Sequence, residues 1–122
     1  MPRPILDEAS IHPAIHARIA SWQHAIVDEV SAAVQANDVV VVGMEMNPFP
    51  AKARKALDAI GQPYKYLGYG SYLSVWRPRS ALKMWTGWPT FPMVFVKGTL
   101  VGGYNDLKKL IDSGELKTML AR

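Results

Sequence analysis

The chain of 122 residues contains no cysteine. Without a thiol it forms no disulfide, holds no metal through thiolates and ligates no iron–sulfur cluster. Long apolar runs are also missing, since none approaches the roughly 20 residues that a membrane-spanning helix needs. After Arg3 the chain continues into Asp7 and Glu8 instead of an apolar stretch, so we expect no secretory signal and a cytoplasmic protein.

Clusters of one charge are also missing. Fourteen basic and ten acidic residues give a formal net charge of +4. The basic residues are scattered over three predicted helices, as Lys52, Arg54 and Lys55, then Arg77, Arg79 and Lys83, then Lys108 and Lys109. No basic run alternates with aromatic residues, as nucleic-acid grooves require. We therefore expect neither nucleic acid nor a membrane as a partner. The scattered positive charge suits a small anionic molecule better than a polyanion.

What the chain does have is a readable order of helices and strands. The stretch 11–35 is helical in pattern, with a break near Ser21 and one apolar face formed by Ile15, Ile19, Trp22, Ile26 and Val30. Four consecutive valines at 39–42 predict a strand that is buried on both faces. Further helices are predicted at 50–60, 79–85 (or from nearer Ser74), 104–111 and 115–120, and further strands at 64–67, 93–96 and 99–101. In the helix at 50–60 we expect inward-facing residues at Ala53, Ala56, Leu57 and Ile60.

This order predicts the α/β fold class. The first half reads as a parallel βαβ unit, and the second as an antiparallel hairpin that turns at Lys97 and Gly98. A four-stranded mixed sheet flanked by helices, built in this order, is the thioredoxin fold. We predict one compact domain, with its main part at 38–122 and an N-terminal helical extension at 1–37. We expect Trp76, Trp85 and Trp88 to pack the third helix against the sheet.

From residue 39 to 120 the chain resembles the glutaredoxins. The residues that match the monothiol branch in type and spacing are Arg79, Leu82, Lys83, Trp85, Thr86, Trp88, Pro89, Thr90 and Pro92. The stretch 102–107 resembles the Gly-Gly-x-x-Asp-Leu motif of the dithiol branch. In that family a loop with one or two cysteines enters the first helix of the domain, and here the same place holds Asn47, Pro48, Phe49 and Pro50. Because the thiolate is the nucleophile, the degenerate positions Asn47 and Pro50 leave no catalytic residue.

The resemblance implies a glutathione groove. In the family a cis proline, here Pro92, exposes the backbone of the preceding residue, which pairs with an extended peptide. The γ-glutamyl end is then held at the start of the helix near Asn105 and Asp106, and the glycyl carboxylate by Arg79 and Lys83. The glutathione-binding residues that this implies are Phe49, Arg79, Lys83, Thr90, Phe91, Pro92, Gly103, Asn105 and Asp106.

Several of these residues have a structural alternative. Asn105 or Asp106 can serve only to cap the helix, an interaction worth about 1 kcal/mol. Arg79 and Lys83 can form a solvated basic face, and Phe49 can pack against the neighbouring loop. The family's lysine three residues before the catalytic cysteine is Met44 here, so one ligand-binding charge is missing.

We predict a cysteine-less glutaredoxin-related protein without thiol–disulfide oxidoreductase activity, which binds glutathione or an extended peptide in the residual groove. No cofactor or metal is required, and His12 and His16 are expected to be surface residues. Cell redox homeostasis is then only a label inherited from the family. Two alternatives stay open. One is an enzyme that uses the thiol of bound glutathione. The other is a non-catalytic adaptor that forms a homodimer through the tryptophan-containing helix or the N-terminal helices.

Overall fold

The computed structural model describes residues 3–44, 48–69 and 76–121. Its helices are α1 (Pro13–Ser21), α2 (His24–Ala36), α3 (Pro48–Ala59), α4 (Trp76–Thr86), α5 (Tyr104–Ser113) and α6 (Glu115–Leu120), and a short 3-10 helix (Glu8–Ser10) precedes α1. The strands are β1 (Val39–Met44), β2 (Lys65–Tyr69), β3 (Met93–Val96) and β4 (Thr99–Gly102). Among the described residues, no helix is both long enough and apolar enough to cross a bilayer.

The four strands form one mixed sheet in the order β2-β1-β3-β4. β1 and β2 are parallel and are joined through α3, because a parallel pair needs a long crossover connection. β3 pairs antiparallel with β1 and with β4, and Lys97 and Gly98 form the hairpin turn between β3 and β4. The predicted thioredoxin fold, with a four-stranded mixed sheet flanked by helices, is confirmed.

β1 is the central strand, and helices cover both of its faces. Alternate side chains of a strand point to opposite faces. Val40 and Val42 pack in a core with Val30 of α2 and Leu82 of α4, whereas Val39 and Val41 pack in a second core. The second core also contains Ala53, Leu57, Leu107 and Leu116 from the helices on the other side. The prediction of a strand buried on both faces is confirmed.

The break predicted near Ser21 is confirmed, because the N-terminal stretch forms the two helices α1 and α2. Gln23, with φ 50°, adopts the left-handed conformation between α1 and α2. Val30 is fully buried, but Ile15, Ile19 and Trp22 remain 38–43% exposed, and α1 buries no residue. The apolar face predicted along 11–35 is therefore covered only in α2, because the break at Gln23 separates α1 from the core.

α3 begins two residues earlier than predicted and also ends earlier. Ala53 and Leu57 face inward, as predicted, and Ala56 is half-buried. Ile60 is 49% exposed, so its predicted inward position is wrong. The reason is the end of the helix, where Gly61 turns with φ +69° and the N–H of the next residue donates to the carbonyl of Leu57.

The tryptophan prediction holds in part. α4 begins at Trp76, between the two predicted starts at Ser74 and Arg79, with Pro78 in its first turn. Trp88 is partly buried against the first core, whereas Trp85 is exposed and contacts Phe95 with 6.1 Å between ring centroids. The side chain of Trp76 lies outside the described part of the structure.

A side-chain hydrogen bond joins α2 to the end of β2. The Tyr69 hydroxyl donates to a Glu29 carboxylate oxygen at 2.5 Å. Burial, and then this carboxylate, raise the pKa of Tyr69 well above its usual range. The α2 helix therefore contacts the sheet through Val30 and through the hydrogen bond between Tyr69 and Glu29. The division between an extension at 1–37 and a domain at 38–122 stays a prediction.

Candidate functional site

The loop before β3 has the backbone that the resemblance implied. The Phe91–Pro92 peptide bond is cis. Both residues are buried, and the Phe91 side chain packs in the first core, so only the Phe91 backbone can face a ligand. Thr90, the residue before them, is exposed. The structure thus brings Thr90 and the Phe91 backbone to the head of β3, beside the end of β4.

Gly102 closes β4 with a conformation that requires glycine. Its φ is +112°, a region that side chains rarely adopt. A Cβ at this position would also collide with the Asp106 carboxylate. The fold itself therefore accounts for this first glycine of the pair.

Gly103 is different, because the fold leaves room for a side chain there. Its φ of −102° and ψ of −158° describe extended backbone that any residue adopts. A Cβ would lie 3.5 Å from the Pro92 carbonyl oxygen and 3.9 Å from Nε1 of Trp88, which are ordinary contacts. That indole nitrogen is buried and has no hydrogen-bond partner among the described residues. The space that a Cβ would fill lies between the Pro92 loop and the start of α5.

Asp106 caps α5, which is one of the two roles predicted for it. Its Oδ2 accepts a hydrogen bond from the Gly103 backbone N–H at 3.0 Å. The N-cap residue is Gly103, and Asn105 is exposed within the first turn. Because a carboxylate has about four acceptor sites, this bond leaves Asp106 able to accept from a ligand as well.

The predicted basic residues lie on α4. Lys83 is half-buried, and its Nζ lies 6.0 Å from the ring centroid of Phe91. Arg79 precedes it by one helical turn, which puts both residues on one side of α4, but the side chain of Arg79 lies outside the described residues. Asn47 also lies outside them, as does the side chain of Met44, so no geometry is available for these two predicted positions.

Pro50, the last residue of the stretch 47–50, is buried against the sheet. An ideal Cβ on Gly43 would lie 2.6 Å from the Pro50 ring and 3.3 Å from the Tyr66 hydroxyl. The guanidinium of Arg54 lies 4.1 Å from the centroid of the Tyr66 ring. Pro50 therefore fills a notch that Gly43 leaves beside Tyr66.

Phe49 makes a contact with the start of α5 that the sequence did not reveal. Phe49 is 42% exposed in the first turn of α3, and its ring centroid lies 6.3 Å from that of Tyr104, the first residue of α5. The Lys52 ammonium lies 4.9 Å from the Phe49 centroid. Tyr104 and Lys52 were missed as site residues, although the place of Tyr104 directly after the glycine pair was the available signal. Phe49 thus packs against α5 rather than only against its own loop.

The histidines occupy surface positions, as predicted. His12 caps α1, with its Nδ1 accepting from the Ala14 backbone N–H at 3.0 Å, and His16 pairs with Glu8. Within 3–44, 48–69 and 76–121 there is no group of three or more acidic or histidine side chains that could hold a metal ion.

Comparison with known proteins gives relatives along most of the chain. A glutaredoxin-like protein of Dictyostelium discoideum is 46% identical over 98 residues, which is 80% of this chain and 80% of that protein. Glutaredoxin 4 of Haemophilus influenzae is 30% identical over 101 residues and is covered over 91% of its length. No protein-family model matches the sequence.

Solved structures agree with these relatives. A wheat glutaredoxin superposes with a TM-score of 0.67 at 27% identity, over 80% of this chain and 90% of that one. A buckwheat glutaredoxin, solved as a complex with glutathione, superposes with a TM-score of 0.69 at 24% identity, over 81% of this chain and 90% of that one. The second likeness concerns the fold alone.

Proposed function

This chain belongs to the glutaredoxin family, and we propose that it binds glutathione, or an extended peptide of similar chemistry, without thiol–disulfide exchange. The main observation behind the proposal is Gly103. The backbone angles at this position do not require glycine, and the absence of a side chain leaves space beside Pro92. A backbone that a ligand must approach closely is a recognised reason for glycine. The missing cysteine removes the nucleophile that exchange requires.

The charges around Gly103 suit a tripeptide of this kind. The free N–H groups in the first turn of α5 favour a carboxylate, and the carboxylate of Asp106 favours an ammonium group close to it. Together they complement the γ-glutamyl end of glutathione, which carries both groups. Lys83, whose Nζ lies 6.0 Å from the Phe91 ring centroid, complements the carboxylate at the glycyl end.

The solved buckwheat complex supports the proposal, since a protein of the same fold was crystallised with glutathione. The replacement of the family lysine by Met44 removes one favourable charge, so we expect weak binding, with a dissociation constant of roughly 0.1–1 mM. The cytoplasmic location stays a prediction from the sequence.

Calorimetry with reduced glutathione tests the proposal. Gly103→Ser adds a Cβ in the groove and keeps a good N-cap residue, so the protein stays folded. We expect wild-type protein to bind and Gly103→Ser to bind at least tenfold more weakly. Thr99→Val, on the exposed start of β4, is the matched control and keeps wild-type affinity.

Two results would contradict the proposal. The first is the absence of heat at millimolar glutathione with folded wild-type protein. The second is equal affinity of wild-type, Gly103→Ser and Asp106→Ala proteins, which would place any binding outside the groove at the start of α5.

A further inference from the structure

A pocket lies at the hairpin end of the sheet, bordered by α2, by the last turn of α4 and by the hairpin between β3 and β4. We call it the hairpin pocket and define it by Ser31, Gln35, Trp85, Phe95 and Gly98. Its volume of about 360 Å³ is near the lower end of the roughly 300–1,000 Å³ of small-molecule sites. The whole of β4 separates its hairpin turn from the start of α5, so this pocket is distinct from the groove proposed for glutathione.

Two aromatic rings and two aliphatic side chains give the hairpin pocket an apolar lining. Phe95 is 5% exposed, and Val34 and Leu100 pack with it in the first core. Trp85 keeps 41% of its surface exposed, and its ring centroid lies 6.1 Å from that of Phe95, with the planes tilted by 34°. A ligand ring beside Trp85 would remove apolar surface from water and add a ring–ring contact. The lining therefore favours an aromatic ligand.

The available polar groups of the pocket come from one face of α2. Ser31 and Gln35 are four residues apart, which is about one turn of helix. Neither side chain forms a hydrogen bond within the described part of the structure. The Thr86 hydroxyl also borders the pocket, but it already donates to the Leu82 carbonyl at 2.8 Å and accepts from the Trp88 N–H at 3.1 Å. The Gln35 amide offers a donor beside an acceptor, which complements an amide on a ligand.

Charge is missing from the lining of the hairpin pocket, which contains no acidic, basic or histidine residue among those the structure describes. Lys97, the neighbour of Gly98 in the turn, pairs with Asp38 at 3.3 Å. Because burying an unpaired charge costs far more than burying a hydrogen-bonded amide, a charged group inside the pocket would be unfavourable. The lining therefore favours a neutral ligand.

We propose that the hairpin pocket binds a neutral, planar aromatic molecule of one or two rings that carries an amide or an equivalent pair of donor and acceptor. The rings lie against Trp85 and Phe95, and the polar pair meets Gln35, with the Ser31 hydroxyl as a further partner. No bond is formed or broken. The pocket is separate from the groove at the start of α5, so glutathione and this ligand bind at the same time.

Nuclear magnetic resonance titrations of the isotope-labelled full chain test the proposal. The probes are indole-3-carboxamide, indole, which lacks the amide, and indole-3-carboxylate, which has the same shape and a negative charge. We expect indole-3-carboxamide at millimolar concentration to give saturable shifts of the Trp85 indole N–H and the Gly98 backbone amide. Indole binds at least threefold more weakly, and the carboxylate at least tenfold more weakly.

Two variants and a matched control assign the binding to this pocket. Trp85→Ala weakens binding of the carboxamide at least tenfold. Gln35→Leu keeps a good helix former of similar size and removes the side-chain amide, so it binds the carboxamide and indole with equal affinity. Trp22→Ala is the control, because Trp22 is 38% exposed at the end of α1, and this variant keeps wild-type affinity.

Four results would overturn the inference. They are the absence of saturable shifts with folded wild-type protein, equal affinity of wild-type and Trp85→Ala proteins, equal affinity for the carboxamide and the carboxylate, and shifts confined to the start of α5. None of them bears on glutathione binding, which Gly103→Ser tests separately.

Discussion

At the scale of single residues, Gly102 and Gly103 are neighbours with different reasons for being glycine. Gly102 has φ +112° and faces the Asp106 carboxylate, so the fold excludes a side chain there. Gly103 has ordinary backbone angles and room for a Cβ. The first is therefore a requirement of the folded state, and the second is free to serve a ligand.

Serine substitutions separate these two reasons. We expect Gly102→Ser to lower the free energy of unfolding by about 2–3 kcal/mol, because it strains the backbone and displaces the carboxylate that caps α5. Gly103→Ser changes it by less than about 1 kcal/mol, since serine is a good N-cap residue. Urea denaturation followed by tryptophan fluorescence measures both. Equal losses in the two variants would refute the distinction.

The sequence indicated both glycines through the family motif but could not tell them apart. Their difference lies in backbone angles and in the position of Asp106, which only the assembled hairpin and helix define. For the same reason the sequence revealed Phe49 and missed Tyr104, because the contact between them joins residues 55 positions apart in the chain.

At the scale of elements, α2 is tied to β2 by the hydrogen bond from Tyr69 to Glu29. The pKa of Tyr69 is raised by burial and by this carboxylate, so the folded state favours the protonated phenol. The stabilisation is fully present below the usual tyrosine pKa of about 10 and is lost as the pH rises above it.

We therefore expect wild-type protein to lose more stability than Tyr69→Phe between pH 9 and pH 11. Urea denaturation at intervals of half a pH unit measures the difference in slope. Glu29→Gln is the companion variant, and its alkaline loss is smaller than that of wild-type protein because the carboxylate charge is gone. If the plots of unfolding free energy against pH ran parallel for wild-type and Tyr69→Phe proteins, the hydrogen bond between Tyr69 and Glu29 would not link stability to pH.

The elements of the core were predictable, because a run of valines and helical periodicity report directly on burial. β1, β3 and α6 were found close to their observed bounds. The prediction failed at α1, since periodicity shows which residues share a face but not whether another element covers it. Ile15 and Ile19 share such a face and stay exposed, because Gln23 turns the chain before α2 reaches the sheet.

At the scale of the whole molecule, the fold of a redox family persists in a chain without cysteine. We expect no protein-dependent reduction of a mixed disulfide between glutathione and a small thiol, because thiolate attack is the step that breaks the disulfide. A coupled assay with glutathione and glutathione reductase measures this rate. A rate above background that scales with protein concentration would contradict the expectation.

The overall architecture was predictable, since the order of strands and helices and the family motifs point to one fold. The absence of the nucleophile was also evident from the sequence, because residues 47–50 contain no cysteine. The contact between Phe49 and Tyr104 was not predictable, since it depends on how the first turns of α3 and α5 converge.

The notch at Gly43 has a chemical consequence. Pro50 is buried there beside Gly43, with the Tyr66 hydroxyl close by, so a sulfur introduced at residue 50 would be shielded from any dissolved disulfide. Burial in such surroundings also disfavours ionisation of a thiol. A cysteine at this position alone would therefore not give the chain an accessible nucleophile.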